Sequence, residues 1–203
     1  MTLQMKTPST VAAAEGGEAG NESTCYQHNS TAENIGKRHK FIKPRFDHIP
    51  DALKQQPWAV WIAEPRPGKP GKFNKAPRCP KSGYKIGVNQ PEKFGTFAEA
   101  HAAYEAGGYT GVGVLLTSNG IIGVDIDDYK DTFATKPDVK QWVLRAVDEG
   151  AYGEYSPSGR GLRLFMRGKL PGSGRKSGPM EIYDDVRFLT VTGHHVRLKK
   201  GGE

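Results

Sequence analysis

Two aspartates, Asp125 and Asp127, end an apolar run that begins at Ile121. Alternate residues of a β-strand point to the same side, so these carboxylates share one face while Val124 and Ile126 fill the core on the other. Parallel carboxylates repel each other unless a cation lies between them, and hard divalent cations prefer such oxygen ligands. The spacing therefore predicts a metal site, although a strand that runs into an acidic turn would look the same.

A third carboxylate, Glu181, stands between apolar neighbours in the run from Met180 to Tyr183. An unpaired charge on an interior strand is costly, so this residue needs a partner. A role as a further metal ligand would provide one. A salt bridge to Arg187 or Arg163 would do so equally well, and the sequence leaves both interpretations open.

A turn of small residues from Ser156 to Gly161 follows the aspartates. Its glycines let the backbone approach an anion, and nearby hydroxyl and guanidinium groups add donors for phosphate oxygens. An ordinary β-turn would use the same Ser, Pro and Gly residues, but the embedded arginines favour phosphate. His194 is also a candidate contact with the nucleotide, although a histidine at a strand end commonly lies on the surface without such a role. The candidate nucleotide-binding residues are Ser158, Gly159, Arg160, Gly161, Arg163, Arg187 and His194.

The positive charge is unevenly distributed along the chain. The formal net charge of +7 and a pI near 9.3 favour polyanionic partners. Basic residues are concentrated in two stretches without carboxylates, one between Glu64 and Glu92 and one between Glu154 and Glu181. Such stretches beside acidic strands are typical of a phosphate-handling cleft, and a solvated surface is the alternative. The candidate residues for nucleic-acid contacts are Lys69, Lys72, Lys75 and Arg78.

The elements that must position these residues are predicted from periodicity and capping. Thr96 and Glu99 form a capping-box pattern that predicts a helix ending at Gly107. Asn119 and Gly120 predict a hairpin between two β-rich runs, because both residues accept positive φ angles. The predicted helices span 49–56, 96–107 and 137–148, and the predicted strands span 58–63, 111–117, 121–127, 152–155, 162–167, 180–184 and 187–192. This order predicts an α+β fold with a mostly antiparallel sheet flanked by helices.

The domain organisation follows from composition. Residues 1–46 lack apolar periodicity and become basic at their end, so we expect a disordered basic leader. Residues 47–198 are expected to form one catalytic domain, and residues 199–203 a linker or the end of an expressed fragment. The two cysteines are too few for a zinc site or a disulfide framework. We expect a cytoplasmic protein with no membrane association, because no apolar run is long enough to span a bilayer.

The ordered set of motifs resembles the archaeo-eukaryotic primase superfamily, and most closely the primase-polymerase domains of phage and plasmid replication proteins. The resemblance covers residues 50–197. Its parts are Trp58-Ala59-Val60-Trp61, Gly71-Lys72 with Lys75-Ala76-Pro77, Asp125-Ile126-Asp127, Ser158-Gly159-Arg160-Gly161, and Glu181 followed by Arg187-Phe188-Leu189-Thr190-Val191-Thr192-Gly193. The order of these motifs is more specific than any one of them.

The resemblance implies an RNA-recognition-like core that adds nucleotides to a nucleic-acid 3′ end. It further implies that Asp125, Asp127 and Glu181 bind two divalent ions, Mg²⁺ or Mn²⁺, and that Ser158 and Gly161 lie beside the nucleotide's phosphates. The expected partners are a single-stranded DNA template and nucleoside triphosphates, with a helicase domain or partner beyond residue 203. The chain departs from the family at position 163, where Arg163 replaces the usual His.

Two other functions fit part of the pattern. A non-catalytic module that binds single-stranded nucleic acid or nucleotides would expose aromatic residues on its central strands. The run from Ile121 to Asp127 presents carboxylates instead. A metal-dependent nuclease would use a similar carboxylate site, but the nucleotide-like phosphate turn favours transfer over cleavage.

Overall fold

The computed structural model describes residues 41–196 and 198. This part of the chain forms four α-helices, namely α1 (Asp51–Lys54), α2 (Phe97–Glu105), α3 (Tyr129–Thr135) and α4 (Pro137–Asp148). Its strands are β1 (Trp58–Trp61), β2 (Glu64–Pro65), β3 (Phe73–Asn74), β4 (Pro77–Arg78), β5 (Gly111–Thr117), β6 (Ile121–Ile126), β7 (Tyr152–Tyr155), β8 (Leu162–Arg167), β9 (Arg175–Ser177), β10 (Met180–Tyr183) and β11 (Asp185–Val191). None of the helices in the described part is long and apolar enough to cross a membrane.

The strands form two main sheets and one short ribbon. The five-stranded sheet has the order β7-β8-β6-β10-β9, and the four-stranded sheet has the order β11-β5-β1-β4. Strands β2 and β3 form the ribbon. The recorded strand pairings are antiparallel. The predicted α+β fold with a mostly antiparallel arrangement is confirmed.

The predicted hairpin between β5 and β6 is wrong. Strand β5 pairs with β1 and β11, whereas β6 pairs with β8 and β10. The chain does turn here, but the positive φ angles are at Ser118 (56°) and Gly120 (74°), and not at Asn119. The Ser118 N–H donates to the Asp184 carbonyl at 2.7 Å, so this turn carries the chain from one sheet to the other. Local turn chemistry predicts the reversal of the chain but not the partners of its strands.

Two hydrophobic clusters flank the central strand β6. Ile122, Val124 and Ile126 pack with Val143 and Ala146 of α4. Ile121 belongs to the other cluster, which includes α2 and the four-stranded sheet. A Cβ at Gly123 would lie 2.4 Å from Leu189 Cδ1, so glycine at this position allows the two sheets to pack closely. Asp125 follows on this same face of β6, where the packed part of the interface ends.

Several elements differ from their predicted form. The capping box is confirmed, since Thr96 Oγ1 accepts from the Glu99 N–H and Glu99 Oε2 accepts from the Thr96 N–H. The first helix is shorter than predicted, and α3 forms where no helix or strand was predicted. Strands β2, β3, β4 and β9 are too short to give a periodic signal.

Residues 41–46, assigned to the leader from sequence, contact the folded domain. The Ile42 N–H donates to the Pro157 carbonyl at 2.9 Å, and the Arg45 N–H donates to the Thr192 carbonyl at 2.8 Å. The rest of the predicted leader, residues 1–40, lies outside the described residues, as do residue 197 and residues 199–203.

Candidate active site

Five charged side chains form a row across the five-stranded sheet. Glu154 lies opposite Arg163, and Arg163 lies opposite Asp125. Asp125 in turn lies opposite Glu181, and Glu181 lies opposite Lys176. Directly opposed residues project from the same face of a sheet. Asp125 and Glu181 are the only neighbours in this row that carry the same charge.

Asp127 extends the carboxylate pair beyond the end of β6. Its backbone N–H donates to the Pro179 carbonyl at 3.0 Å, so the extended pairing continues past the strand. Two residues after Asp125, its exposed side chain lies on the same face. The structure therefore brings the three predicted carboxylates to one face. Nevertheless, the described residues contain no group of three or more His, Cys, Asp or Glu side chains arranged to hold a metal ion.

The carboxylate of Asp125 is bound by Arg163. Arg163 Nε lies 3.3 Å from Asp125 Oδ1, and the arginine side chain is only 6% exposed. Its Nη1 donates to the Thr190 carbonyl at 2.8 Å and to the Thr190 hydroxyl. Because β8 and β11 belong to different sheets, the guanidinium links the two sheets beneath Asp125. The predicted contact of Arg163 with a nucleotide's phosphates does not match this buried position.

The carboxylate of Glu181 is bound on two sides by cations. Lys176 Nζ contacts Glu181 Oε1, and Arg187 Nη2 contacts Oε2. The Tyr183 hydroxyl also donates to Oε2 at 3.1 Å. Burial raises the pKa of Glu181, but the hydrogen bond from Lys176 and the charge of Arg187 outweigh it and lower the pKa overall. The salt bridge to Arg187, left open by the sequence, is present.

A cleft of about 530 Å³ lies beside these carboxylates. Asp127 and Asp128 line it together with much of the first basic stretch and with the small-residue turn. The other lining residues are Phe41, Arg66, Lys69, Gly71, Lys72, Phe73, Lys75, Ser158, Arg160 and Gly161. The two acid-free stretches thus meet across one cleft, with carboxylates at its wall. A cationic pocket that contains carboxylates suits a polyphosphate bound with divalent cations.

The turn after β7 is closed by its own hydrogen bonds. The Gly161 N–H donates to Ser156 Oγ at 3.0 Å, and the Gly159 N–H donates to the Ser156 carbonyl at 2.8 Å. These two backbone groups are therefore not free to bind an anion, contrary to what the glycines suggested. A Cβ at Gly161 would lie 2.8 Å from the Ile126 carbonyl oxygen, so glycine is needed for close approach to β6. Ser158 and Arg160 also line the cleft. There the Ser158 hydroxyl lies 3.2 Å from Ser156 Oγ, and Arg160 Nε lies 3.6 Å from Asp128 Oδ1.

Lys75, a predicted nucleic-acid contact, lines the cleft and lies over the Trp61 ring. Its Nζ is 5.8 Å from the centre of the Trp61 ring. Burial, and secondarily the charge of Arg163, lower the pKa of Lys75 to about 8, although Asp125 and Asp127 act in the opposite direction. A partly desolvated ammonium beside two aspartates is placed to meet a phosphate in the cleft.

Four other predicted contact residues do not line the cleft, namely Gly159, Arg187, Arg78 and His194. Arg187 pairs with Glu181 instead. Arg78 donates to Glu64 Oε1 at 2.9 Å and to the Gly83 carbonyl at 3.0 Å, which uses its guanidinium in a local network. His194 places its Nε2 2.8 Å from the Lys43 carbonyl oxygen. Both side chains have structural partners in the described part of the chain.

Sequence reasoning missed Glu154, a fully buried carboxylate at the end of the charged row. Glu154 accepts hydrogen bonds from the N–H groups of Thr192 and Gly193 at 2.9 and 2.8 Å, and from the Tyr152 hydroxyl at 2.9 Å. Burial raises its pKa to about 7, while these bonds and the charge of Arg163 oppose the shift. A charged residue at an alternate position of a short strand is usually solvent-exposed, so no sequence pattern indicated that Glu154 is buried.

Part of the chain is similar to a protein described as DNA Primase-polymerase from Nitratiruptor phage NrS-1, with 30% identity over 144 residues. The aligned region covers 67% of this chain and 19% of that protein, so the chain spans less than a fifth of the relative's length. No protein-family model matches the chain.

Proposed function

The chain belongs to the primase-polymerase family, and we propose that it transfers nucleotides from nucleoside triphosphates to a nucleic-acid 3′ end on a single-stranded DNA template. The observation that carries this proposal is the direct opposition of Asp125 and Glu181, with Asp127 lining the adjacent cationic cleft. Like charges placed directly opposite each other destabilise a sheet. The retention of two opposed carboxylates beside the cleft supports a function that needs both of them, such as the binding of divalent cations.

The residues present fit divalent cations in kind and in register. Three carboxylates on one face supply the hard oxygen ligands that Mg²⁺ and Mn²⁺ prefer. When bound, two such ions would activate the attacking hydroxyl and neutralise charge on the triphosphate. The carboxylates of Asp125 and Glu181 are bound to cationic side chains here, so ion binding requires them to exchange these partners.

Other residues of the cleft would bind the triphosphate. Lys69, Lys72 and Lys75 line the cleft and supply ammonium groups for the triphosphate. Ser158 and Arg160 add a hydroxyl and a guanidinium from the other side of the carboxylates. Cationic and hydroxyl groups from both segments orient the triphosphate within the cleft that Asp127 lines.

A second candidate function is a nucleotide- or single-stranded-DNA-binding module without catalysis. One observation favours it: Arg163, Lys176 and Arg187 already neutralise the two opposed carboxylates. A domain whose carboxylates serve only as ion-pair partners would bind nucleotides without using divalent ions.

The test is incubation of the full chain with single-stranded DNA, labelled nucleotides and either Mg²⁺ or Mn²⁺. We expect longer products that depend on the metal and disappear in Asp127→Asn. The matched control is Asp47→Asn, which changes an exposed aspartate outside the cleft. Nucleotide binding without any product would favour the binding module, and shortened DNA would favour a nuclease.

A further inference from the structure

The segment Phe41–Arg45, called the strap below, is fastened to the wall of the cleft. Its two backbone hydrogen bonds join Ile42 to Pro157, in the turn that lines the cleft, and Arg45 to Thr192, at the end of β11. The Lys43 carbonyl adds a contact with the His194 ring. The strap is therefore attached both to the turn after β7 and to the residues that follow β11.

The seat of the strap requires a glycine. A Cβ at Gly193 would lie 2.1 Å from the Arg45 carbonyl oxygen, and the φ of Gly193 is +67°. A side chain would be strained at this angle and would collide with the strap backbone. On the cleft side, Ile42 Cδ1 would lie 3.5 Å from a Cβ at Gly159, in the middle of the turn. The domain surface is thus shaped to receive this segment.

The strap places an aromatic ring in the cleft. Phe41 lies edge-to-face against Trp61 and Phe73, with ring centres 5.7 and 5.2 Å apart. Phe41 and Phe73 both line the cleft, and the other described lining residues are charged, polar or glycine. The two phenylalanines, called the aromatic wall, are therefore the apolar part of an otherwise cationic pocket.

A nucleotide has the same division between an apolar and a charged part. Its triphosphate requires cations, and its base presents a flat π-face that packs on aromatic rings without regard to sequence. We propose that Phe41, together with Phe73, forms the surface on which the base of the incoming nucleotide packs, and that the strap holds Phe41 in place. This inference rests on the proposed function, because it names a contact of that same substrate.

The test compares two probes on the full chain, dATP and inorganic tripolyphosphate, in excess Mg²⁺. Phe41→Ala should weaken dATP binding by about 5- to 100-fold, the range for loss of one base–aromatic contact. Tripolyphosphate has no base, so its affinity should change less than about twofold. Phe41→Leu keeps apolar volume without a ring and should give an intermediate loss of dATP affinity. Lys72→Ala should weaken both probes, and Tyr84→Ala, at a ring that is 77% exposed outside the cleft, should weaken neither.

The possible outcomes distinguish failure of the proposed base contact from failure of the proposed nucleotide transfer. Equal weakening of both probes in Phe41→Ala and Phe41→Leu would overturn it, since the strap would then act only on the fold. Unchanged dATP affinity with weaker binding of single-stranded DNA would also overturn it and assign the aromatic wall to the template. A wild-type protein that binds dATP through Phe41 but synthesises nothing would remove the proposed catalysis and leave the base contact standing.

Discussion

Asp125 and Glu181 lie directly opposite each other on β6 and β10, and each is bound by a cation from the strand on its other side. Arg163 holds Asp125 from β8, and Lys176 holds Glu181 from β9. These ion pairs offset the repulsion between the two carboxylates. Under the proposed function, each carboxylate would therefore have both a structural and a chemical role, which mutations can separate.

Replacing Asp125 and replacing Asp127 should have different effects on stability but similar effects on synthesis. Asp127→Asn changes an exposed side chain, so the free energy of unfolding should change by less than about 0.5 kcal/mol. Asp125→Asn leaves the buried Arg163 guanidinium with a weaker partner and should cost about 1–3 kcal/mol. Both variants should lose at least about a hundredfold in synthesis, because each removes a carboxylate from the reacting site.

Chemical denaturation and primer extension measure these two quantities on the same preparations. Single-stranded DNA binding should persist in both variants, which separates lost chemistry from lost folding. Near wild-type synthesis by Asp127→Asn would show that the carboxylate pair is not the reacting site.

Arg163 should act on stability rather than on nucleotide affinity. Arg163→Ala removes the only cation between Asp125 and the buried Glu154 in the charged row, so it should lower the free energy of unfolding by about 3–5 kcal/mol. Arg163→Lys keeps the charge and should cost less. In Arg163→Lys the nucleotide KM should stay within about threefold of wild type, because this side chain does not line the cleft.

Urea unfolding and steady-state extension together decide the role of Arg163. A tenfold rise in KM at unchanged stability would show that the guanidinium reaches the phosphates, as the sequence had indicated.

Local sequence patterns predicted the elements well, and non-local contacts explain what they missed. The strand period placed Asp125 and Asp127 on one face, and the Thr96 capping box marked a helix, because both depend on neighbouring residues. The partners of β5 and β6 depend on close packing between two sheets, which the turn at Gly120 does not encode. The pairing register of β6 and β8, which places Arg163 opposite Asp125, is likewise a non-local property that forms only when the strands pair.

The strap is a second feature that local sequence patterns did not predict, because its contacts are non-local. Residues 41–46 read Phe-Ile-Lys-Pro-Arg-Phe, and this run is too short for a periodic signal, so it was assigned to the leader on the basis of its basic residues. Their contacts are with Pro157 and Thr192, more than a hundred residues away. The close approach of Gly193 to Arg45 is likewise a contact between distant parts of the chain, so it can be identified only in the structure.

Lys75 should make nucleotide binding dependent on pH. With a pKa of about 8 in the nucleotide-free protein, its ammonium is mostly charged at pH 7 and loses its charge as pH rises through 8. The apparent nucleotide KM should therefore rise above about pH 8. Lys75→Arg should move this rise out of the measured range, because a guanidinium stays charged throughout.

The check is the KM measured from pH 6.5 to 9.5 in wild type, Lys75→Arg and Lys81→Arg. Lys81 lies outside the cleft and pairs with Glu99, so its variant should follow the wild-type curve. A KM that rises equally in all three proteins would assign the pH dependence to another group.

Glu154 should make stability fall as pH rises through neutrality. Its pKa of about 7 in the folded protein lies above the ordinary value of 4.5, so the folded state holds the proton more tightly than the unfolded chain does. This contribution to stability is complete below about pH 4.5 and is lost as pH rises to about 7. The shift corresponds to a change of roughly 3 kcal/mol in the free energy of unfolding. Glu154→Gln removes the titrating group, so the free energy of unfolding of wild type relative to this variant should decrease by roughly 3 kcal/mol between pH 4.5 and 7.5.

Urea unfolding at several pH values measures the difference, with Glu149→Gln, at an exposed position, as the control. A difference that stays constant with pH would mean that the pKa of Glu154 is the same in the folded and unfolded states, so that its hydrogen bonds and Arg163 fully compensate its burial.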